Sequence, residues 1–140
     1  MYVIGFIQKE RLEEIIPFLE KLNPKIEKDL LSSRLTEMIA QGYKCLGVFD
    51  GEKLIGISGI WVLTKYYVGK HIEPDNVYIL PEYQGKGVGK QLMDRIFNYV
   101  RSIGCEASEL YCFLTNEKGH KFWEQQGYQK IAYHFQKRLS

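Results

Sequence analysis

The chain has 140 residues, of which 45% are hydrophobic and 26% charged, values typical of a globular protein that buries one core. Its formal net charge of +2 is too small for a nucleic-acid partner, and no apolar run is long enough for a membrane span. Three cysteines without C-x-x-C spacing indicate reduced thiols rather than a disulfide framework or a zinc site. We therefore expect one cytoplasmic domain over residues 1–140, with no metal.

The N-terminal part of the chain begins with a strand pattern and continues with two helix patterns. Residues 2–7 alternate and are rich in branched and aromatic side chains, which predicts a first strand. An apolar stripe over Lys9–Leu22 predicts a helix that Pro17 splits or kinks. A second helix follows Asn23-Pro24, and Gly42 is a suitable residue for its C-terminal end.

Three strands are predicted next. Residues 43–49 and 53–63 have strand patterns, and Asp50-Gly51 between them is a strong hairpin signal. The segment Thr64–Lys70 looks mobile, and a further strand is expected at about residues 71–80.

The C-terminal part alternates between helices and strands. A helix is predicted from Gly87 to about Ile103, and Gly104 ends it. A strand at 107–113, a helix at 117–126 and a final strand pair at about 128–138 follow. The resulting order is β-α-α-β-β-β-α-β-α-β.

The most informative segment is the glycine-rich loop between the fourth strand and the helix after it. Its glycines alternate along the chain at Gly85, Gly87 and Gly89. A glycine-rich loop at a helix N-terminus presents backbone N–H groups, and the helix dipole there favours negative charge, so the loop is predicted to bind phosphate. The spacing does not fit a Walker A loop, because Gln84 stands where that loop has its first glycine. It does not fit a dinucleotide fingerprint either, because Lys90 stands where that motif has its third glycine.

The spacing that does fit is Q/R-x-x-G-x-G/A, which Gln84, Gly87 and Gly89 satisfy. This is the pattern of the pyrophosphate loop in the GNAT family of N-acetyltransferases, and the sequence resembles that family. Pro81-Glu82-Tyr83 is similar to the P-E-Y that commonly precedes this loop. Asn116 and the segment 120–128 are similar to the family's second motif, N-x-x-A-x-x-F-Y-x-x-x-G-F/Y. Two linked motifs at the right separation make the resemblance specific over the C-terminal half.

The resemblance implies an α+β fold of three layers, in which a mixed, mostly antiparallel sheet splays open between strands 4 and 5. It also implies acetyl-CoA as the acyl donor, with the pantetheine arm lying along the fourth strand against Ile79 and Leu80. The second motif would contact the cofactor through Asn116, Phe122 and Trp123, although Asn116 is also a suitable helix N-cap. Donors to the pyrophosphate would come from Gln84, Gly85, Lys86, Gly87, Val88, Gly89 and Lys90.

Acetyl transfer to an amine requires a proton acceptor, because a lysine-like ammonium has a pKa of about 10.4. Glu73 and Asp75 stand two residues apart on the fourth strand and therefore on one face, together with His71. By the resemblance, Glu73 lies close to the position of a catalytic glutamate in several family members. The resemblance also brings the Leu80 N–H near the thioester oxygen, where it would stabilise the oxyanion.

The general acid is less evident, because Trp123 stands where the family's second motif usually has a tyrosine. An indole N–H can donate a hydrogen bond but is unsuited to delivering a proton. Tyr128, Tyr111 or water are the alternatives. A thiol pKa of about 8.5 also makes the thiolate a tolerable leaving group without any acid.

Three functions remain open. The first is an acetyl-CoA-dependent N-acetyltransferase acting on a primary amine of a small molecule or a protein by direct attack in a ternary complex, with Trp61, Tyr66 and Tyr67 as a suitable seat for a cationic amine. The second is a non-catalytic acyl-CoA-binding sensor, which the missing tyrosine would allow. The third, a nucleotide-binding loop domain, is disfavoured by the glycine spacing. A homodimer is possible, and neither nucleic acid nor a membrane is expected as a partner.

Overall fold

The computed structural model describes all 140 residues. Strand β1 (Val3–Phe6) leads into a 3₁₀ helix (Lys9–Ile15), which continues directly into α1 (Ile16–Leu22). Pro17 lies in the first turn of α1, where its missing N–H would have no intrahelical partner, so the predicted break falls just before it.

The second helix and the strands that follow it agree with the predicted order. Helix α2 spans Lys28–Ala40 and is followed by β2 (Lys44–Asp50), β3 (Lys53–Lys65) and β4 (Gly69–Ile79). The segment Thr64–Lys70 between β3 and β4 forms a hairpin rather than an irregular connection. The ladder continues to its last pair, Lys65 with Gly69, so only three residues form the turn. Gly69 supplies the positive φ of 79° that closes this hairpin.

The C-terminal part departs most from expectation. Helix α3 spans Val88–Ser102, strand β5 only Ala107–Ser108, and helix α4 Glu117–Gln125. The predicted final strand pair at 128–138 is wrong, because residues 126–140 contain no helix or strand. The predicted strand at 107–113 is likewise reduced to two residues, so a C-terminal strand has little to pair with.

The side chains of the C-terminal segment explain why no strand forms there. Ile131, Tyr133 and Phe135 alternate as strand residues would, yet they are 70%, 83% and 89% exposed. No backbone–backbone hydrogen bond involves a residue after Tyr128. Alternation specifies a strand only where one face is buried and a neighbouring strand accepts the ladder, and this segment has neither.

The five strands form one sheet in the order β1-β2-β3-β4-β5. All neighbours are antiparallel except β4 and β5, which run parallel and pair only through His71 with Ala107 and Ile72 with Ser108. The Glu109 N–H makes one further bond, to the Ile72 carbonyl at 2.9 Å, and the strands then separate. The predicted α+β class and the splay between strands 4 and 5 are therefore confirmed.

Two hydrophobic cores cover the two faces of the sheet. One lies beneath α1 and α2, and the other lies beneath α3, where Ile72 packs with Leu92 and Ile96. Side chains alternate between the two faces along a strand, and Ile72 lies on the α3 face. His71 and Glu73 therefore lie on the α1/α2 face. No helix has the length and apolar content needed to cross a bilayer.

Candidate active site

A β-bulge divides β4 into two parts. Gly59 pairs with Asp75, whereas Ile57 pairs with Tyr78, so two residues of β4 oppose one of β3. Asn76 absorbs the irregularity with a φ of 55°, a conformation that asparagine tolerates better than most residues. The Tyr43 hydroxyl donates to Asn76 Oδ1 at 3.2 Å and holds the bulge in place. We refer below to the N-terminal part (residues 69–75) and the C-terminal part (residues 77–79) of β4.

The glycine loop follows the C-terminal part of β4 and has the conformation of an anion-binding loop. Gly85 and Gly87 have φ values of 74° and 80°, and an added Cβ would meet nothing within 4 Å at either position. Their requirement is therefore conformational, because other residues rarely adopt positive φ. Gly87 is the N-cap of α3 and offers no side-chain cap. The N–H groups of the first helical turn are therefore left for an external acceptor.

The third glycine has a different role. A Cβ at Gly89 would come within 3.2 Å of the Phe122 ring, so this glycine lets α4 pack closely on α3. Phe122 in turn contacts Trp123 edge-on, with ring centroids 4.8 Å apart, and both pack against the core beneath α3. The second motif therefore supports the loop from behind, and its expected cofactor contacts stay a prediction.

Polar side chains fix the two ends of the loop. Gln84 Nε2 donates to the Ile79 carbonyl at 2.8 Å and ties the loop to β4. The Lys90 ammonium pairs with the Asp94 carboxylate at 2.7 Å, and the Lys86 ammonium lies 5.8 Å from the Tyr83 ring centroid. Contact of either lysine with a bound phosphate stays a prediction. Val88, which is also predicted to contact the pyrophosphate, has a buried side chain at the start of α3.

The backbone of Leu80 differs from expectation. Its N–H donates to the Ile55 carbonyl at 2.9 Å, so this donor is already used within the sheet. The expectation that the Leu80 N–H faces a thioester oxygen is therefore wrong for this arrangement. Backbone groups of neighbouring strand residues point to opposite edges, so the N–H aimed at the unpaired edge belongs to Ile79.

Glu73 occupies the predicted face of β4 but is not isolated there. Its Oε2 lies 3.0 Å from His71 Nε2 and 3.2 Å from the Lys65 ammonium, and its side chain is 12% exposed. The hydrogen bond from Lys65 to Glu73 raises the pKa of the lysine, so this ammonium stays charged. The predicted grouping of His71 with Glu73 is confirmed, and Lys65 is an addition that sequence patterns did not indicate.

A second carboxylate, Glu109, joins this group from the end of β5. The Tyr67 hydroxyl donates to both of its oxygens, at 2.6 and 2.8 Å, and Glu109 Oε1 lies 3.8 Å from His71 Nε2. The hydrogen bond to Glu109 raises the pKa of Tyr67. The sequence patterns did not indicate Glu109 as part of this site. Its place beside His71 follows only from the parallel pairing of β5 with β4.

Asp75 shares the face of Glu73, as predicted, but has its own partner. The Trp61 Nε1–H donates to Asp75 Oδ2 at 3.0 Å, and the Trp61 ring packs on Tyr43 with centroids 5.3 Å apart. Trp61 thus holds a carboxylate in place rather than lining an open seat for an amine. Of the predicted aromatic seat, Tyr66 is fully exposed and Tyr67 is bound to Glu109.

Tyr128 and Asn116 complete the predicted set. The Tyr128 and Ser108 hydroxyls lie 2.6 Å apart, and burial raises the pKa of Tyr128 to about 12. The Tyr128 ring contacts Trp123 edge-on at 5.4 Å, next to the position of the expected tyrosine. Asn116 Oδ1 accepts the Gly119 N–H at 3.0 Å, which confirms its role as a helix N-cap. Its contact with a cofactor stays a prediction.

Comparison with known proteins identifies the family of this chain. The model of the Acetyltransferase (GNAT) family matches residues 10–128. The mouse thialysine N-epsilon-acetyltransferase is 19% identical over 95 residues, which cover 68% of this chain and 56% of that protein. The chain thus spans about half the length of this relative. The uncharacterized N-acetyltransferase YhdJ of Bacillus subtilis is 21% identical over 131 residues and 92% of both chains.

A solved structure shares the fold. The aminoglycoside N-acetyltransferase AAC(6')-Iy in complex with CoA superimposes with a TM-score of 0.85 at 17% identity, covering 100% of this chain and 96% of that one. Members of the matched family use acetyl-CoA. The family model covers most of the chain, including the glycine loop, both parts of β4 and the second motif. The chain belongs to the GNAT family of acetyltransferases.

Proposed function

We propose that this protein transfers an acetyl group from acetyl-CoA to a primary amine by direct attack in a ternary complex. The observation that carries the proposal is the continuity of β4. Its C-terminal part opens into an anion-binding glycine loop, and its N-terminal part bears Glu73, while the edge between them has no strand partner. One strand thus connects a seat for the coenzyme to a proton acceptor.

The coenzyme would be held mainly by backbone groups. The pyrophosphate would accept from the N–H groups of the loop and of the first turn of α3, where the helix dipole adds to the attraction. The pantetheine arm carries two amides and would lie along the unpaired edge of β4 like an added strand. The outward N–H of Ile79 then replaces that of Leu80 as the donor to the thioester oxygen.

The chemical step needs one proton acceptor and no protein nucleophile. Glu73 would take the proton from the ammonium, after which the amine nitrogen attacks the thioester carbonyl and the CoA thiolate departs. Burial raises the pKa of the Cys45 thiol to about 12 and also raises that of Cys112, so neither provides a thiolate near neutral pH. This supports direct attack over an acyl-cysteine intermediate.

The departing thiolate is expected to leave without a general acid. Tyr128, with a pKa of about 12, retains its proton against a thiolate whose conjugate thiol has a pKa of about 8.5. Its hydroxyl can therefore stabilise developing charge by a hydrogen bond, while solvent supplies the proton. Trp123 in the usual tyrosine position does not prevent turnover under this scheme.

Calorimetric titration with acetyl-CoA, with ATP and NADH as controls, tests the coenzyme. Turnover is then measured as release of free CoA thiol over an amine panel that includes thialysine, an aminoglycoside and a lysine peptide, the first two suggested by the names of the relatives. We expect selective binding of acetyl-CoA and turnover of at least one amine. Binding without turnover of any amine would favour the sensor function, which Trp123 supports. Absence of acetyl-CoA binding would overturn both.

A further inference from the structure

We propose that His71 and Glu73 share one proton, and that His71 thereby positions Glu73, whose second carboxylate oxygen accepts the ammonium proton of the amine. This inference rests on the proposed function for its catalytic part. Its structural part, the shared proton, follows from the hydrogen-bond geometry of a buried imidazole and can be tested without any substrate.

The first step concerns Nδ1 of His71. This nitrogen lies 3.1 Å from the Gly69 carbonyl oxygen. A carbonyl oxygen only accepts hydrogen bonds, so Nδ1 carries a proton and donates it. The imidazole is fully buried, so water does not offer an alternative partner. In a neutral imidazole with Nδ1 protonated, Nε2 has a lone pair and no proton.

The second step concerns Nε2, which faces two carboxylates. Glu73 Oε2 lies at 3.0 Å and Glu109 Oε1 at 3.8 Å. Ionised carboxylates are acceptors only, so a bare Nε2 would set lone pair against lone pair in a site with little water. One proton between Nε2 and Glu73 turns this repulsion into a charge-assisted hydrogen bond.

The charges of the cluster lead to the same proton count. Two carboxylates, Glu73 and Glu109, face the single fixed cation of Lys65, whose ammonium lies 3.2 Å from Glu73 Oε2. One added proton makes two positive and two negative charges, so the charges around the buried imidazole balance. The titratable groups of this cluster come from four places: Lys65 on β3, Tyr67 in the β3–β4 turn, Glu73 on β4, and Glu109 after β5, with Tyr111 near Lys65.

The consequence for catalysis is a proton acceptor held in one orientation. His71 and Lys65 both bind Glu73 Oε2, which leaves Oε1 to receive the substrate proton. In this step an ammonium N–H bond breaks and an O–H bond forms at Oε1, while the shared proton stays on Nε2. The neutral amine then forms a C–N bond to the thioester carbonyl, and as the adduct collapses its C–S bond breaks, the CoA thiolate leaves and the nitrogen loses its second proton to solvent, which also protonates the thiolate. Glu73 returns its own proton to water after the product leaves.

The shared proton can be observed on the ring nitrogens by ¹⁵N NMR of the whole protein in buffer with EDTA, which removes stray cations. The chain has three histidines, and spectra of His71→Gln and His134→Gln assign them. At pH 7.5 we expect protons on both nitrogens of His71, because each nitrogen faces an oxygen that only accepts hydrogen bonds. In Glu73→Gln we expect the Nε2 proton to be lost at this pH. A neutral His71 with its proton on Nε2, or a His71 unaffected by Glu73→Gln, overturns the proposal.

The catalytic part is tested by kcat/KM against pH for an amine found by the panel. His71→Gln can still donate to Glu73 but holds no shared proton. We expect roughly a tenfold lower kcat/KM, below the 10²–10⁴-fold of a general base itself, with a changed pH profile and acetyl-CoA affinity within about twofold of wild type. The exposed His134→Gln is the matched control. A His71→Gln pH profile that superimposes on wild type removes His71 from the reaction. Because the NMR experiment needs neither acetyl-CoA nor an amine, failure of the proposed function remains distinguishable from failure of this inference.

Discussion

The two parts of β4 lie on either side of one bulge and use different kinds of groups. The N-terminal part presents side chains, and each carboxylate there is held by a partner from another strand, as Trp61 holds Asp75 and Lys65 holds Glu73. The C-terminal part presents its backbone, and the loop after it works through glycines with positive φ. Under the proposed function, coenzyme binding would therefore depend on main-chain conformation, whereas proton transfer would depend on side-chain pairing. Substitutions should therefore separate the two.

The largest effect is expected in the loop. Gly87→Glu places a side chain with negative charge at the N-terminus of α3 and should weaken acetyl-CoA binding at least about a hundredfold, measured by calorimetry. Gly104→Glu is the matched control, because Gly104 also has a positive φ, 86°, but ends α3 at the opposite pole. Both variants carry a strain of roughly 1–2 kcal/mol, so equal losses of binding would show that strain alone is responsible.

The next largest effect is expected on the N-terminal part of β4. Glu73→Gln keeps the shape of the side chain but removes its capacity to accept a proton, so kcat/KM should fall roughly a hundredfold. Acetyl-CoA affinity should stay within about twofold, which is the opposite of the result for the loop. Glu82→Gln, a carboxylate that is 61% exposed and 3.8 Å from Lys53, is the control. Turnover unchanged in Glu73→Gln would move the base to another residue.

A smaller effect, on stability, is expected for the side-chain pair beside the bulge. A double-mutant cycle of Trp61→Phe and Asp75→Ala isolates the Nε1–H to carboxylate bond from the packing of the indole ring. Urea unfolding should give a coupling free energy of roughly 1–2 kcal/mol, as for hydrogen bonds to charged groups. A coupling near zero would mean that Asp75 is solvated and available to a substrate.

The smallest effect, on the pH dependence of stability, is expected at Tyr128. The folded pKa of about 12 exceeds the value of about 10 for an unfolded tyrosine, so the native state holds this proton more tightly. The associated stability is complete below about pH 10 and is lost as the pH rises toward 12. At about pH 10.5 the wild type should have lost roughly 1 kcal/mol that Tyr128→Phe retains. Tyr133→Phe, at an exposed ring, should behave as wild type.

Local signals made the glycine loop and the helix after it predictable. The alternating glycines need only their own backbone conformation, and the apolar stripe of α3 needs only one face to bury, so both follow from short segments of sequence. The pairing of Glu73 with His71 followed in the same way from the period of a strand. Each of these features is contained within one element and its immediate neighbours.

The remainder depended on contacts between distant segments. Glu109 and Lys65 reach His71 and Glu73 only because β3, β4 and β5 align in a particular register, which no single segment specifies. The Leu80 N–H is already used because the register of β4 against β3 brings it to the Ile55 carbonyl. The final strand failed for the converse reason, since a strand pattern without a neighbouring strand has no ladder to join.

Pro74 gives the open edge of β4 a further property. A sheet edge with free N–H and C=O groups invites another extended chain to add to it, and a proline on the edge removes one of the donors that such an addition needs. Ile72 faces β5 through its carbonyl, so by alternation the nitrogen of Pro74 also points outward. The open edge therefore lacks a backbone donor at Pro74, just after β5 separates from β4. It can accept an added strand only from Val77 onward. A guest strand from another molecule would find no continuous template, whereas a short ligand with two amides would find enough.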